Sequence, residues 1–164
     1  MINTTTWSKR AVASMNEKFI WIAPQAGYRM AILDLESEER MLATTASNDE
    51  IGAAIQSALM DSKFLPLEDF YAFQARADSI YPDWVNRMVV RYGYRSKQDF
   101  FKQMKRCNLV EKEGMLIISP YHHNRMDSWS RSKVDGIEDV VISATSSATE
   151  IGGAVRLAFS RCTS

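Results

Sequence analysis

Two adjacent histidines and two cysteines have the widest chemical repertoire in this sequence, yet their spacing matches no standard catalytic or metal site. His122 and His123 are the only histidines. Because neighbours on an extended strand point to opposite faces, they cannot easily bind one metal ion. Cys107 and Cys162 lack the paired spacing of zinc ligands. A nucleophilic cysteine–histidine pair is formally open, but a cysteine late in an apolar helix is usually a small buried hydrophobe. The residues alone favour a non-catalytic binding protein without metal or cofactor.

One acidic run and one basic run could instead form binding surfaces. The acidic run, residues 34–39, is predicted to connect two strands; it could supply paired carboxylates, although a solvated loop is the commoner interpretation. Residues 85–134 include 11 basic and 4 acidic residues, and within them residues 91–106 mix cations with aromatic rings. That mixture suits nucleic acid. Phe100 and Met104, however, have the spacing of a helix face directed at the core, which is the interpretation we favour.

An internal repeat marks the elements that would position these residues. Residues 43–62 and 143–162 share seven identities in twenty aligned positions. Each copy contains a capping box, S-x-x-E, beginning at Ser47 or Ser147. In such a box the serine accepts an amide hydrogen of the first turn, and the glutamate bonds back to the serine amide. Apolar residues then recur with helical spacing, so each copy predicts one capped amphipathic helix.

Each repeat helix carries a glycine in its first turn, Gly52 or Gly152. Glycine there costs up to about 1 kcal/mol relative to alanine, which predicts a helix end pressed close to a sheet or to another helix. Phosphate binding is the alternative, but the chain contains no G-x-G-x-x-G pattern and no Walker lysine.

Short apolar runs closed by proline, residues 19–24 and 115–120, predict buried strands that end at the proline. Further strands are predicted at residues 28–35, 40–44 and 139–143. The two halves, approximately residues 15–62 and 111–162, would then each contain strands followed by one capped helix. An ancient duplication would explain this pattern, as would convergence on good helix caps.

A helical insert, approximately residues 63–110, separates the halves. Pro82 is predicted at the first position of a helix that Gly93 terminates. Ser96 is predicted to begin another helix, which continues toward Cys107.

Length and composition limit the class of protein to which this chain can belong. With 164 residues, 46% of them hydrophobic, the chain fits a single domain, residues 1–164. We predict an α+β fold with a mixed or mostly antiparallel sheet flanked by helices. No apolar run approaches the roughly eighteen residues of a membrane span, and the N-terminal residues do not form a signal peptide. Reduced cysteines in a cytoplasmic protein are the default expectation.

The second half of the sequence resembles a known family. The segments that carry the resemblance are RYGYRSK and FFKQMK between residues 91 and 105, IISPYHH at residues 117–123, and VISATSSATEIG at residues 141–152. In this order they resemble the immunity proteins of bacterial contact-dependent growth inhibition (CDI) systems, once filed as a domain of unknown function. The first half resembles the family more loosely, and no single motif is specific.

The resemblance implies a cytoplasmic protein with no reaction of its own. Such a protein binds, one to one, the C-terminal toxin domain of a large secreted effector that a neighbouring cell delivers. These toxins are commonly nucleases, and we expect an RNase rather than a DNase. The family supplies no catalytic, metal-binding or cofactor-binding residues, and it implies neither a membrane nor a nucleic-acid partner.

The toxin-binding residues must be inferred from physical chemistry. A nuclease presents a positive face to phosphate, so acidic side chains could speed its encounter with the inhibitor, and aromatic side chains could anchor the complex. The candidates are Asp34, Glu36, Glu38, Glu39, Tyr121, His122, His123 and Trp129. The opposing interpretation is a solvated acidic loop, with Trp129 packed under a connection and one histidine satisfied near the core. Two other functions stay open, a small nucleic-acid-binding protein using residues 91–106 and a hydrolase built on His122 or His123.

Overall fold

The computed structural model describes residues 7–164 and forms one main sheet with helices on both faces. The strands are β1 (Lys9–Met15), β2 (Phe19–Gly27), β3 (Ala31–Leu33), β4 (Arg40–Ala43), β5 (Lys63–Phe64), β6 (Lys105–Lys112), β7 (Met115–Pro120), β8 (His122–Arg125), β9 (Ser128–Ser130) and β10 (Val140–Ser143). The helices are α1 (Asn48–Asp61), α2 (Leu67–Arg91), α3 (Lys97–Phe101) and α4 (Ala148–Arg161).

Two antiparallel three-stranded units build the sheet. In the first unit β2 pairs with β1 and β4, and in the second β7 pairs with β6 and β10. The units join through the antiparallel pair β1–β6. Short β3 and β5 add to the end of β2, and β5 is the parallel exception. The predicted α+β class, with a mostly antiparallel sheet flanked by helices, is confirmed.

The two units share their register as well as their connectivity. Trp21 pairs with Met41 in the first unit, and Ile117 pairs with Val141 in the second. These are equivalent positions when the two proline-closed runs are aligned. The last strand of each unit leads into a capped helix, α1 or α4. Common ancestry of the units stays a prediction.

Helices α1 and α4 pack against one another on one face of the sheet, and their first turns meet at the two glycines. A Cβ atom on Gly52 would overlap the carbonyl group of Ala148, and one on Gly152 would overlap the carbonyl group of Asn48. Each glycine therefore admits the backbone of the other helix, and the predicted close packing is confirmed.

Serine caps begin both of these helices. Ser47 Oγ accepts the amide hydrogen of Glu50, and Ser147 Oγ accepts that of Glu150, each over 3.2 Å. Within residues 7–164 neither glutamate side chain bonds back to the serine amide, so only the serine half of each predicted box forms.

Helix α2 corrects the prediction that Pro82 begins a helix. The helix runs without interruption from Leu67 to Arg91 and contains Pro82 in its interior. Phe70, Phe73, Trp84 and Met88 form one buried stripe on both sides of the proline, and this shared packing outweighs the local break. Pro82 is exposed, so water can reach the carbonyl group that the missing amide leaves without a donor.

The predicted helical insert is also too long at its C-terminal end. Helix α3 is capped by Ser96, as predicted, but it runs only from Lys97 to Phe101. Lys105–Lys112 is a central strand of the sheet. Cys107 therefore lies on β6, opposite Ala13 of β1, rather than in a helix. Pairing along the whole length of β1 overrides the local helical signal.

Pro24 does not end its strand, which continues to Gly27. Its carbonyl oxygen accepts the amide hydrogen of Asp34 over 2.9 Å, so the side of Pro24 that lacks an amide hydrogen faces β3 and β4. On that side, β4 pairs with β2 only as far as Ile22, and β3 pairs with it only from Gln25 onward. Little pairing is lost at that gap. By contrast, β7 ends at Pro120 as predicted.

The two sheet faces are covered unequally. On one face, α1 and α4 pack over both units. On the other, α2 and α3 pack over the first unit, where Phe19 and Trp21 contact Trp84 and Phe100. No helix within residues 7–164 is long and apolar enough to cross a membrane.

Candidate functional site

The acidic segment, residues 34–39, joins β3 to β4 and lies alongside helix α2. Glu36 forms an ion pair with Arg76, with Nε 2.5 Å from Oε1. Glu39 accepts a hydrogen bond from Arg91 over 2.8 Å. The hydrogen bond from Arg76 lowers the pKa of Glu36, so its carboxylate is charged at neutral pH. Because both pairs are exposed, water and salt screen them and each contributes little to folding.

The other two acidic candidates differ sharply in exposure. Asp34 is 4% exposed, lies 3.8 Å from the Nζ atom of Lys63 and accepts the amide hydrogen of Glu36. It therefore shapes the segment rather than presenting charge. Glu38 is exposed, and among residues 7–164 its carboxylate has no ion-pair partner within 4 Å. Glu38 is thus the carboxylate of this segment most available to a partner.

The segment borders an open cleft of about 280 Å³. Trp21 and Trp84 line its interior, stacked with their ring centroids 4.1 Å apart. Glu38, Glu39 and Arg87 also line it. The two rings are buried and present little free surface, so the carboxylates of Glu38 and Glu39 are the groups of this cleft most able to bind a cationic side chain. Arg87 lowers the net negative charge of this cleft.

The aromatic candidates belong to the β8–β9 hairpin and the residue before it. His123 is 8% exposed, stacks on Trp129 with ring centroids 4.9 Å apart, and bonds through Nε2 to the carbonyl oxygen of Met126. Trp129 donates its indole N–H to the carbonyl oxygen of Met104 over 3.1 Å. The interpretation that Trp129 packs beneath a connection and a histidine is satisfied near the core is confirmed for these two residues.

Tyr121 and His122 are half-buried and more accessible than His123. The Tyr121 hydroxyl accepts a hydrogen bond from Asn108 over 3.1 Å. His122 Nδ1 lies 2.7 Å from the hydroxyl oxygen of Thr163. Neither residue is fully buried, so both remain candidates for contact with a partner.

Helix α2 lies between the acidic and aromatic sets. Arg76 and Arg91 bind the acidic segment, while the Tyr81 hydroxyl donates to Asp127 in the hairpin turn over 3.1 Å. No hydrogen bond or ion pair joins the two candidate sets directly in the described part of the chain. The sequence did not reveal the arginine partners, because pairing over forty or more positions leaves no local pattern.

The basic run, residues 91–106, offers few rings for stacking on bases. Phe100 and Phe101 are buried, and Tyr92 packs on Phe19 with ring centroids 4.6 Å apart. The pKa of Arg106 is lowered by burial. The favoured interpretation, in which the aromatic residues face the core, is therefore confirmed for the phenylalanines.

The histidines and cysteines were the candidates for metal binding or catalysis. Among residues 7–164 no group of three or more His, Cys, Asp or Glu side chains is placed to hold a metal ion. His122 bonds to Thr163 and His123 to Met126, and within the same range neither imidazole bonds to a cysteine. The pairing required for a histidine-activated thiol is not formed.

A family model described as "CdiI: CDI immunity protein" matches residues 9–162. This chain belongs to the CDI immunity protein family. The family match extends across both sheet units and the α2–α3 insert, whereas the sequence resemblance was close in the second half alone.

Individual relatives agree with the family match. The immunity protein CdiI-YPIII from Yersinia pseudotuberculosis serotype O:3 (strain YPIII) is 31% identical over 175 residues, covering 98% of this chain and 99% of the relative. A chain of the CdiA-CT/CdiI toxin and immunity complex from Yersinia pseudotuberculosis is 30% identical, with a TM-score of 0.87 over 96% of this chain and 99% of that one. A protein of unknown function from Neisseria meningitidis has the same TM-score at 25% identity, with 99% of each chain covered.

Proposed function

We propose that this CDI immunity protein binds and neutralises the C-terminal toxin domain of its cognate CDI effector in a one-to-one cytoplasmic complex. The observation that carries the proposal is the likeness, at 30% identity, to a chain of a CdiA-CT/CdiI toxin and immunity complex. The protein acts by occupying a surface of the toxin and performs no reaction of its own. Both imidazoles are engaged by neighbouring groups, which is consistent with that role.

The toxin is a nuclease in this proposal, and an RNase rather than a DNase. A nuclease must bind a phosphodiester backbone and therefore carries cationic side chains around its active site. The acidic segment gives a matching charge, and the open cleft beside it is lined by Glu38 and Glu39, where a cationic side chain of the toxin would enter.

The salt bridges of the acidic segment decide which carboxylates face the toxin. Arg76 and Arg91 neutralise Glu36 and Glu39 in the free protein, and the buried Asp34 maintains the loop conformation. Glu38 supplies the free charge that accelerates encounter. Glu36 and Glu39 also bind the toxin, when its cationic side chains displace Arg76 and Arg91.

The aromatic set provides a second, less polar contact in this proposal. Tyr121 and His122 expose part of their rings beside the hairpin, and half-exposed aromatic residues are frequent binding anchors. His123 and Trp129 support them by stacking on one another and fixing the hairpin to the core.

Association kinetics test the acidic contact. The Glu38→Lys variant should associate with the purified toxin domain roughly three- to tenfold more slowly than wild type at low salt, and the difference should shrink as salt screens the charges. Glu138→Lys makes the same charge change at an exposed position just before β10, at the opposite edge of the sheet, and should leave the rate unchanged. Equal rates for wild type and Glu38→Lys would remove this segment from the interface.

A second variant makes the acidic segment more negative instead of less negative. Arg76→Gln removes the cation that neutralises Glu36, so it should speed association at low salt while leaving the stability of the fold nearly unchanged. Slower association would mean that Arg76 itself contacts the toxin.

Neutralisation is tested by co-expression. The C-terminal domain of the effector encoded immediately upstream should stop growth when expressed alone, and this chain should restore growth. Intact RNA in the rescued cells and degraded RNA in the unprotected cells would identify an RNase. Degraded DNA with intact RNA would retain the immunity function and replace the proposed substrate.

A further inference from the structure

Two thiols from distant parts of the sequence lie side by side within the fold. Cys107, on the central strand β6, is fully buried, and Cys162 is the residue that caps the C-terminal end of α4. Their Sγ atoms are 3.7 Å apart. A disulfide bond requires about 2.05 Å, so a small movement of one side chain would bring the two sulfur atoms to bonding distance.

One of the two thiols faces an opening to solvent. An open cavity of about 390 Å³ is lined by Cys162, Lys105, His123 and Thr163, among other residues, but not by Cys107. A small reagent entering the cavity therefore meets Cys162 first. Cys107 lies behind it, shielded by the sheet and helix α4. This arrangement corresponds to an accessible attacking thiol with a resolving thiol beside it.

The surroundings of the pair favour ionisation of the outer thiol. The hydrogen bond from Cys107 lowers the pKa of Cys162 to about 7, helped by the nearby charge of Lys105. The same interaction, together with burial, raises the pKa of Cys107. When Cys162 is protonated, its thiol can donate to the carbonyl oxygen of Arg106, 3.4 Å away.

We propose that Cys107 and Cys162 are an oxidation site at which hydrogen peroxide produces an intramolecular disulfide bond. The Cys162 thiolate attacks one peroxide oxygen, the O–O bond breaks, and the departing hydroxide takes up a proton to leave as water. The resulting sulfenic acid is attacked by the Cys107 sulfur, which forms the S–S bond and releases a second water molecule. The two thiols are oxidised by two electrons and the peroxide is reduced by the same two.

The bond would fasten the end of α4 to the centre of the sheet. The two cysteines are 55 positions apart, so the disulfide closes a long loop and restricts the unfolded chain. It would also hold Thr163, the next residue, whose backbone and hydroxyl bond to the β8–β9 hairpin at His122 and His123. The oxidised form should therefore be more stable to heat than the reduced form, without a change of fold.

The test uses the whole purified protein and hydrogen peroxide as the probe. After mild treatment and blocking of free thiols, the monomer should lose the mass of two hydrogen atoms, and a peptide map should join Cys107 to Cys162. Its thermal midpoint should rise and return on reduction. A peptide map in which both cysteines remain blockable, or only disulfides between molecules, would overturn the proposal.

Single substitutions separate the roles of the two sulfur atoms. In Cys107→Ser the oxidised Cys162 has no resolving thiol, so a sulfenic-acid-specific reagent should label Cys162. Cys162→Ser should abolish both the disulfide and the labelling. Cys107→Ala provides a second variant if the buried serine hydroxyl impairs folding. Labelling of Cys107 in Cys162→Ser at the wild-type rate would overturn the assignment of Cys162 as the attacking thiol.

Discussion

Trp21 and Ile117 occupy equivalent positions in the two sheet units, but their surroundings are opposite. Trp21 is 6% exposed and stacks on Trp84 of helix α2. Ile117 is only partly buried, and its partner Val141 is 53% exposed. The two units therefore share register and connectivity but differ in packing, since helices cover both faces of the first unit and only one face of the second. The α1–α4 layer is common to both units, whereas the α2–α3 layer, whose helix α2 pairs with the acidic segment, belongs to the first.

The largest predicted effect is a difference in the free energy of unfolding between alanine substitutions at Trp21 and at Ile117. Trp21→Ala should lower the free energy of unfolding by about 4 kcal/mol because it removes a ring from a closed aromatic cluster. Ile117→Ala should cost only about 1 kcal/mol, since its side chain is already partly solvated. Urea denaturation measures both. Equal losses of stability would mean that the face of the second unit around Ile117 and Val141 is covered in solution.

The shared helix layer should be sensitive to a single methyl group. Gly52→Ala and Gly152→Ala each place a Cβ atom into the other helix's backbone and should each cost about 3 kcal/mol. Gly153→Ala is the matched control, because its Cβ would meet only the Asn48 side chain, at 3.6 Å. That variant should be neutral or up to about 1 kcal/mol more stable. A tolerated Gly52→Ala would contradict the close crossing of the helices.

The two serine caps should contribute equally to the stability of the fold if the two sheet units are equivalent. Ser47→Ala and Ser147→Ala should each lower the free energy of unfolding by about 1 kcal/mol. Ser146→Ala, next to the second cap and without a side-chain hydrogen bond within residues 7–164, should change it little. Thermal unfolding of the three variants compares them. A cost at one cap alone would show that the helices are supported differently.

The smallest expected effect comes from a substitution on the uncovered face of the second sheet unit, and it tests whether that face binds the toxin. Val141→Lys places a charge at an exposed strand position and should alter stability by less than about 0.5 kcal/mol. Toxin association should also be unchanged if the acidic segment is the contact. Surface plasmon resonance gives the rate. Loss of binding by this folded variant would move the interface to the uncovered face.

Sequence reasoning predicted the repeated part of the fold better than the part that differs. The caps at Ser47 and Ser147 and the strands before them have local signals, so their positions agree with the structure. The prediction that Pro82 begins a helix was wrong because packing on both sides of the proline holds α2 together. The strand around Cys107 was missed because its pairing with β1 joins residues nearly a hundred positions apart.

The candidate site was only partly predictable for the same reason. The acidic residues were visible in sequence, but the arginines that neutralise Glu36 and Glu39 come from a distant helix. The burial of His123 and the stacking of Trp129 likewise depend on contacts that adjacent residues do not specify.

Calorimetric titration of the purified toxin domain into the purified chain tests the central claim most directly. We expect a one-to-one complex whose formation abolishes toxin activity, with weaker binding by Glu38→Lys at low salt and unchanged binding by Glu138→Lys. Absence of a complex between folded partners, or a complex that leaves the toxin fully active, would contradict it.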